Sequence, residues 1–145
     1  MFDVALTYEE KVARLKENFF SLSTDEQKYH FLIDLGKALP LLSPEYRTDD
    51  RLVRGCQSRL YLLSSFREGK IYFQAHADAL ISAGLAAVLI EVYNGETPET
   101  VLKRAPQFLE EIGIANSLSP NRSNGLMHIH LRMKQDALKY FITSN

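Results

Sequence analysis

The chain has 145 residues, of which 46% are hydrophobic and 24% charged. That balance belongs to a folded globular protein and excludes a disordered or collagen-like chain. At about 150 residues per domain the length predicts a single domain spanning residues 1–145. Seventeen Lys and Arg against 18 Asp and Glu leave a net charge of −1, which argues against a nucleic-acid binder working through a broad positive field. One cysteine excludes an internal disulfide, and with it any zinc or cluster site built on several thiolates.

The first residues, Met1-Phe2-Asp3-Val4 with Glu9 and Glu10 close behind, lack the basic start and apolar run of a secretory signal. Thr7-x-x-Glu10 reads as a capping box, followed by Val12, Leu15 and Phe19 on one helical face. Ser23-x-x-Glu26 reads as a second box. It opens a helix in which Tyr29, Leu32, Leu35 and Leu39 share a face and Pro40 ends the pattern. Residues 40–50 hold two prolines and no periodicity, and so form a loop.

Two strand-like runs follow. In Ser58–Phe66, Leu60, Leu62 and Phe66 face one way and Arg59, Tyr61 and Leu63 the other. In Lys70–His76, Ile71, Phe73 and Ala75 share a face. Arg67-Glu68-Gly69 makes the hairpin connection, and Leu52-Val53 offers a short third strand. Asp78 is placed to cap an apolar helix from Ala79 to Tyr93, interrupted by Ser82 and Glu91. This stretch is too short to span a bilayer and reads as a buried core helix, so no membrane association is expected. Asn94-Gly95 ends it, Thr97-Pro98 starts the next helix, Pro106 interrupts that one and Gly113 closes it. Ser119-Pro120 opens a last helix that aligns Leu126, Ile129, Met133 and Tyr140. The predicted class is α+β, a small antiparallel sheet of about three strands covered by helices mainly on one side.

Cys56 stands in Val53-Arg54-Gly55-Cys56-Gln57-Ser58, just ahead of a strand. Gly55 permits a tight loop that presents the sulfur at the sheet edge. Residues 51–66 carry three arginines and no acid, and positive charge beside a thiol lowers its pKa. The plainer alternative is a buried cysteine serving as a small hydrophobe. Arg122 would sit in the first turn of the last helix, where a cation opposes the helix dipole. Such a breach of a local rule is a functional flag, though an exposed arginine would tolerate the position. His128 and His130 have strand-like metal spacing in a helix, where i and i+2 point to different sides, so boundary positions are expected for them and no metal site. His76 is the only histidine on the strands placed near Cys56. A cysteine hydrolase needs such a partner, so this reading stays open.

Three blocks carry a family resemblance. Glu26-Gln27-Lys28-Tyr29 with Leu32-Ile33-Asp34-Leu35-Gly36-Lys37 and Leu39-Pro40 is similar to E-K-Y…I-x-L-G-x-x-L-P. Val53-Arg54-Gly55-Cys56-Gln57-Ser58-Arg59-Leu60-Tyr61 is similar to V-x-G-C-Q-S-x-V-W. Leu118-Ser119-Pro120-Asn121-Arg122-Ser123-Asn124-Gly125-Leu126 is similar to L-T-P-S-R-x-x-G-L, and Asp78 with Gly84-Leu85 matches S-D-A…G-L. From about residue 23 to residue 142 the chain resembles the SufE/CsdE family, the sulfur acceptors of cysteine desulfurases. Tyr61 stands for the family's Trp and Leu60 for its Val, both apolar exchanges within a strand.

The resemblance implies an IscU-like fold, a persulfide on Cys56, and supporting roles for Gly55, Gln57, Ser58, Asp78 and Arg122. It also implies a pyridoxal-phosphate desulfurase of the SufS or CsdA type as donor, stimulated by this chain, and the SufB scaffold of SufBCD as acceptor. The pyridoxal phosphate belongs to the donor, and this chain is expected to hold no cofactor and no cluster of its own. Without a second thiol the persulfide cannot collapse to an internal disulfide. A moderately lowered thiol pKa, drawn from Arg54, Arg59 or Arg122, would suit the exchange, and Gly55 would let the loop move. The location expected is cytoplasmic, with no independent turnover. Two alternatives are a docking regulator that takes no sulfur and a cysteine-dependent hydrolase or peroxidase.

Overall fold

The structure is a computed structural model that describes residues 6–56, 58–114 and 120–143, with the side chains of 120–123 outside the description. Helices α1 (Tyr8–Phe20) and α2 (Asp25–Lys37) come first, then single 3-10 turns at Pro44–Tyr46 and Asp49–Arg51. Strands β1 (Leu60–Arg67) and β2 (Lys70–Ala77) follow, and then α3 (Leu80–Tyr93), α4 (Pro98–Lys103), α5 (Phe108–Glu111) and α6 (Pro120–Thr143). No helix among the described residues is long and apolar enough to cross a membrane.

Local chemistry sets most boundaries. The Thr7 hydroxyl accepts from the Glu10 N–H, and the Glu10 carboxylate accepts from the Thr7 N–H at 2.9 Å. The second box lies one residue later than the sequence pattern suggests. Thr24, not Ser23, is the cap, because the Gln27 side chain reaches the Thr24 N–H while Thr24 Oγ1 accepts from Gln27. The Gln27 amide oxygen also accepts from the Ser23 N–H at 2.7 Å. At the hairpin tip Glu68 and Gly69 have φ of 51° and 79°, the doubly positive pair of a two-residue type I′ turn.

The hairpin is antiparallel and in register from Leu60↔Ala77 to Arg67↔Lys70. Leu60, Leu62, Ile71, Phe73 and Ala75 are buried on one face, while Tyr61, Leu63, Ser65, Tyr72, Gln74 and His76 on the other are half-buried or exposed. The expected third strand reduces to one bridge, Leu52 to Tyr61. The chain turns away after Val53, whose N–H bonds the Leu60 carbonyl at 2.8 Å.

Helix α3 is the centre of the molecule. Residues 84–90, with Val92 and Tyr93, are buried, so most of its circumference is apolar, as suits a helix largely enclosed by protein, with Glu91 the exposed exception. Each fully buried aliphatic side chain there contributes about 1.5–3 kcal/mol. Asp78 does not cap this helix: the N-cap is Ala79, without a side-chain bond. The Asp78 N–H bonds the Arg59 carbonyl at 3.2 Å, which keeps the chain extended one residue too long for Asp78 to turn onto the first helical amides. On α6, Leu126, Ile129, Met133 and Ala137 are buried, and Tyr140 stacks on Phe66 with ring centroids 5.2 Å apart.

Candidate functional site

Cys56 sits in a loop closed at its base. The Val53–Leu60 bond and the Leu52–Tyr61 bridge fasten its two ends to each other. A second fastening comes from α6. Arg132 donates to the carbonyls of Leu52 at 3.1 Å and Asp50 at 2.6 Å, and its Nε bonds Asp136 at 3.2 Å. Asp136 is the one buried charged residue among those described, and it also accepts from the Ser64 hydroxyl at 2.8 Å. Thus a buried, fully bonded carboxylate holds the arginine that grips the loop base, and each of these bonds is charge-assisted.

At the tip, Gly55 has φ +91°, and a Cβ there would overlap the His128 imidazole of α6. Arg54 and Gly55 are exposed, and Cys56 is half-buried. Its Sγ donates a long bond, 3.9 Å, to the Gly125 carbonyl. The sulfur opens on a cleft of about 420 Å³ lined by Ile33 of α2, Leu80, Ile81, Ser82 and Leu85 of α3, Gly125 and Ile129 of α6, and Ser58 and Ala79. Ser58 and Ser82 hydroxyls lie 2.8 Å apart in its wall.

The electrostatics differ from the expectation. Burial pushes the Cys56 thiol above its ordinary value, and no charge among the described residues counters it. Arg54 and Arg59 are exposed, their charge spent in solvent rather than on the sulfur. Among the described residues desolvation therefore outweighs the basic composition of the segment.

The predicted residues divide into groups. Cys56 and Ser58 meet at the cleft, with Gly55 beside them. Asp78 is exposed at the end of β2, with its carboxylate 3.5 Å from His76 Nε2, while its successors Ala79 and Leu80 line the cleft. Gln57, Ser119 and the side chain of Arg122 lie outside the described residues. Arg122 falls in the first turn of α6, as its position in the sequence suggests. His76 pairs with Asp78 and is not among the residues lining the cleft on which the thiol opens. Among the described residues no three His, Cys, Asp or Glu side chains gather as a metal site.

Residues 13–137 match the family described as "SufE: Fe-S metabolism associated domain". The chain belongs to the SufE family. An uncharacterized SufE-like protein of Synechocystis sp. is 32% identical over 129 residues, a match covering 89% of this chain and 81% of that one. An uncharacterized SufE-like protein of Rhizobium etli is 36% identical, covering 83% and 85%. SufE-like protein 1 of Arabidopsis thaliana, named as chloroplastic/mitochondrial, is 31% identical, and the match spans 88% of this chain but 35% of that longer protein. In solved structures the chain resembles a hypothetical protein of Thermus thermophilus, with TM-score 0.76, 26% identity and coverage of 91% and 96%. The family places the chain in iron–sulfur metabolism.

Two residues of the site carry little signal in the sequence. Ser82 shows there only as a polar interruption of an apolar helix. His128 reads as a boundary residue, although it follows Gly125 by three positions and so shares its helical face.

Proposed function

We propose that this SufE-family chain is a sulfur carrier for iron–sulfur cluster assembly, with Cys56 as the carrying residue. The observation behind the reading is a lone thiol at the tip of a base-clamped loop, opening on a cleft of about 420 Å³ with room for one added atom. The donor is a pyridoxal-phosphate cysteine desulfurase of the SufS or CsdA type, which this chain stimulates. The acceptor is the SufB scaffold of SufBCD, and the setting is the cytoplasm. The chain itself holds no cofactor and no cluster.

The Cys56 thiolate attacks the outer sulfur of the donor's persulfide. A new S–S bond forms on Cys56, the donor's S–S bond breaks, and the donor thiolate leaves with the electron pair. No oxidant is consumed. Burial raises the pKa of the resting thiol, so the sulfur ionises more readily once the loop carries it out of the cleft into the donor's site. The return shelters the persulfide from reductants. Gly55 and its neighbours are the mobile part, and Asp78 and Arg122 have supporting roles, Arg122 as a charge partner for the sulfur or a contact for the desulfurase.

The test is intact-mass analysis after mixing the chain with a desulfurase and cysteine. One added sulfur atom mapped to Cys56, absent in Cys56→Ser, is the expected result. A Cys56→Ser chain that still stimulates the desulfurase fully would identify a docking regulator instead. Turnover of a small thioester or peroxide without desulfurase would identify a hydrolase or peroxidase.

A further inference from the structure

The Ser58 and Ser82 hydroxyls, 2.8 Å apart, face the same cleft as Cys56. Two hydroxyls carry two hydrogens, and the bond between them uses one. Among the described residues no acceptor takes the other. The rest of that wall is aliphatic, with Leu80, Ile81 and Leu85, and the half-buried pair can turn its remaining hydrogen into the cleft, where an anion would bind it more strongly than water does. The thiol end of the cleft has the opposite character. There Sγ meets the Gly125 carbonyl, an acceptor, which suits a protonated sulfur and repels an anion.

Loading the cysteine reverses the demand. The inner sulfur loses its proton, and the negative charge moves to an outer sulfur about 2.05 Å further along. We infer that Ser82, paired with Ser58, is the hydrogen-bond donor that receives this outer sulfur, making the hydroxyl pair a binding site for the anionic end of a Cys56 persulfide. The inference deepens the carrier reading and rests on it. It assigns a role to Ser82, the one polar residue that α3 contributes to the cleft.

The test avoids the desulfurase. Inorganic polysulfide loads the full chain directly: the Cys56 thiolate displaces a shorter polysulfide anion and keeps one sulfur, with no other reactant. The rate at which iodoacetamide caps the outer sulfur is then followed against pH by intact mass, for the parent, Ser82→Ala and Ser82→Thr. A hydrogen bond to a charged acceptor predicts that Ser82→Ala raises the apparent pKa of the outer sulfur by about one unit, slowing capping about tenfold below it. Ser82→Thr, which keeps the hydroxyl, restores the parent profile. The unloaded thiol titrates alike in all three. Superimposable loaded profiles, an equal shift in the unloaded thiol, failure of threonine to rescue, or a parent that takes no sulfur from polysulfide would each overturn the inference. The shift in Ser82→Ala together with a parent that takes no sulfur from a desulfurase would sink the carrier reading and leave the hydroxyl site standing.

Discussion

Gly55 combines two demands that seldom fall on one residue. Its φ of +91° is costly for any side chain, and the His128 ring occupies the space of its missing Cβ. Backbone strain of about 1–2 kcal/mol and overlap with the ring predict that Gly55→Ala loses about 2–3 kcal/mol of stability in urea unfolding. His128→Ala in the same chain recovers the steric part and leaves the backbone part, a double-mutant cycle that separates the two. The motif exposes Gly55 and Cys56 directly, because the residues that matter are adjacent in the chain. Ser82 and His128 are not legible in the same way. Each lies on a helix far along the sequence and meets the cysteine loop only through tertiary packing. The sign of the thiol's pKa shift is hidden too: composition counts arginines, but only the fold shows that Arg54 and Arg59 spend their charge in solvent while the sulfur is desolvated.

Helices α2 and α3 touch through glycines. A Cβ on Gly84 would fall on the Leu32 carbonyl, and one on Gly36 would come within 2.7 Å of the Gly84 nitrogen. Both neighbours are backbone and neither can turn aside. Gly84→Ala should therefore force the helices apart at a cost of about 2–3 kcal/mol, and it should also lower persulfide loading of Cys56, since Ile33 of α2 and Leu80 to Leu85 of α3 face each other across the cleft. Gly69→Ala at the hairpin tip is the control: its φ is +79° with open space around it, so it costs about 1 kcal/mol of backbone strain and leaves loading unchanged. Thermal melts and intact mass read the two effects. Elements of this kind are largely legible. Caps, prolines and alternation locate both first helices, the hairpin and the break at Pro106 because those signals act within a few residues. Ser23 and Thr24 are both competent caps, and only the reach of Gln27 chooses between them. Leu52-Val53 has strand composition, yet the cysteine loop leaves after one bridge, a decision made by Arg132 and Asp136, far downstream on the last helix.

On the scale of the molecule, His130 couples stability to acidity. Its ring stacks on Tyr93 at 5.5 Å, its Nε2 is buried without a hydrogen-bond partner among the described residues, and burial with nearby Lys134 pulls its pKa from 6.5 to about 4. Between those values the unfolded chain binds a proton that the folded chain refuses. Folding is therefore unaffected by this group above about pH 6.5 and is weakened progressively as pH falls toward 4. His130→Phe, which keeps the stacked ring, should flatten that part of the stability–pH curve in chemical denaturation at stepped pH. The overall class, helices gathered on one face of a small hairpin, follows from the pattern of apolar residues. How the last helix crosses the sheet to meet residues 50–56 does not, because nothing local encodes it. That crossing also bears on biosynthesis. Gly125 and Ile129 form one wall of the shelter around Cys56, so a chain still emerging from the ribosome has an open thiol until its last helix has been made and has docked. Oxidative damage to this protein should accordingly fall on nascent and truncated chains before it reaches finished ones.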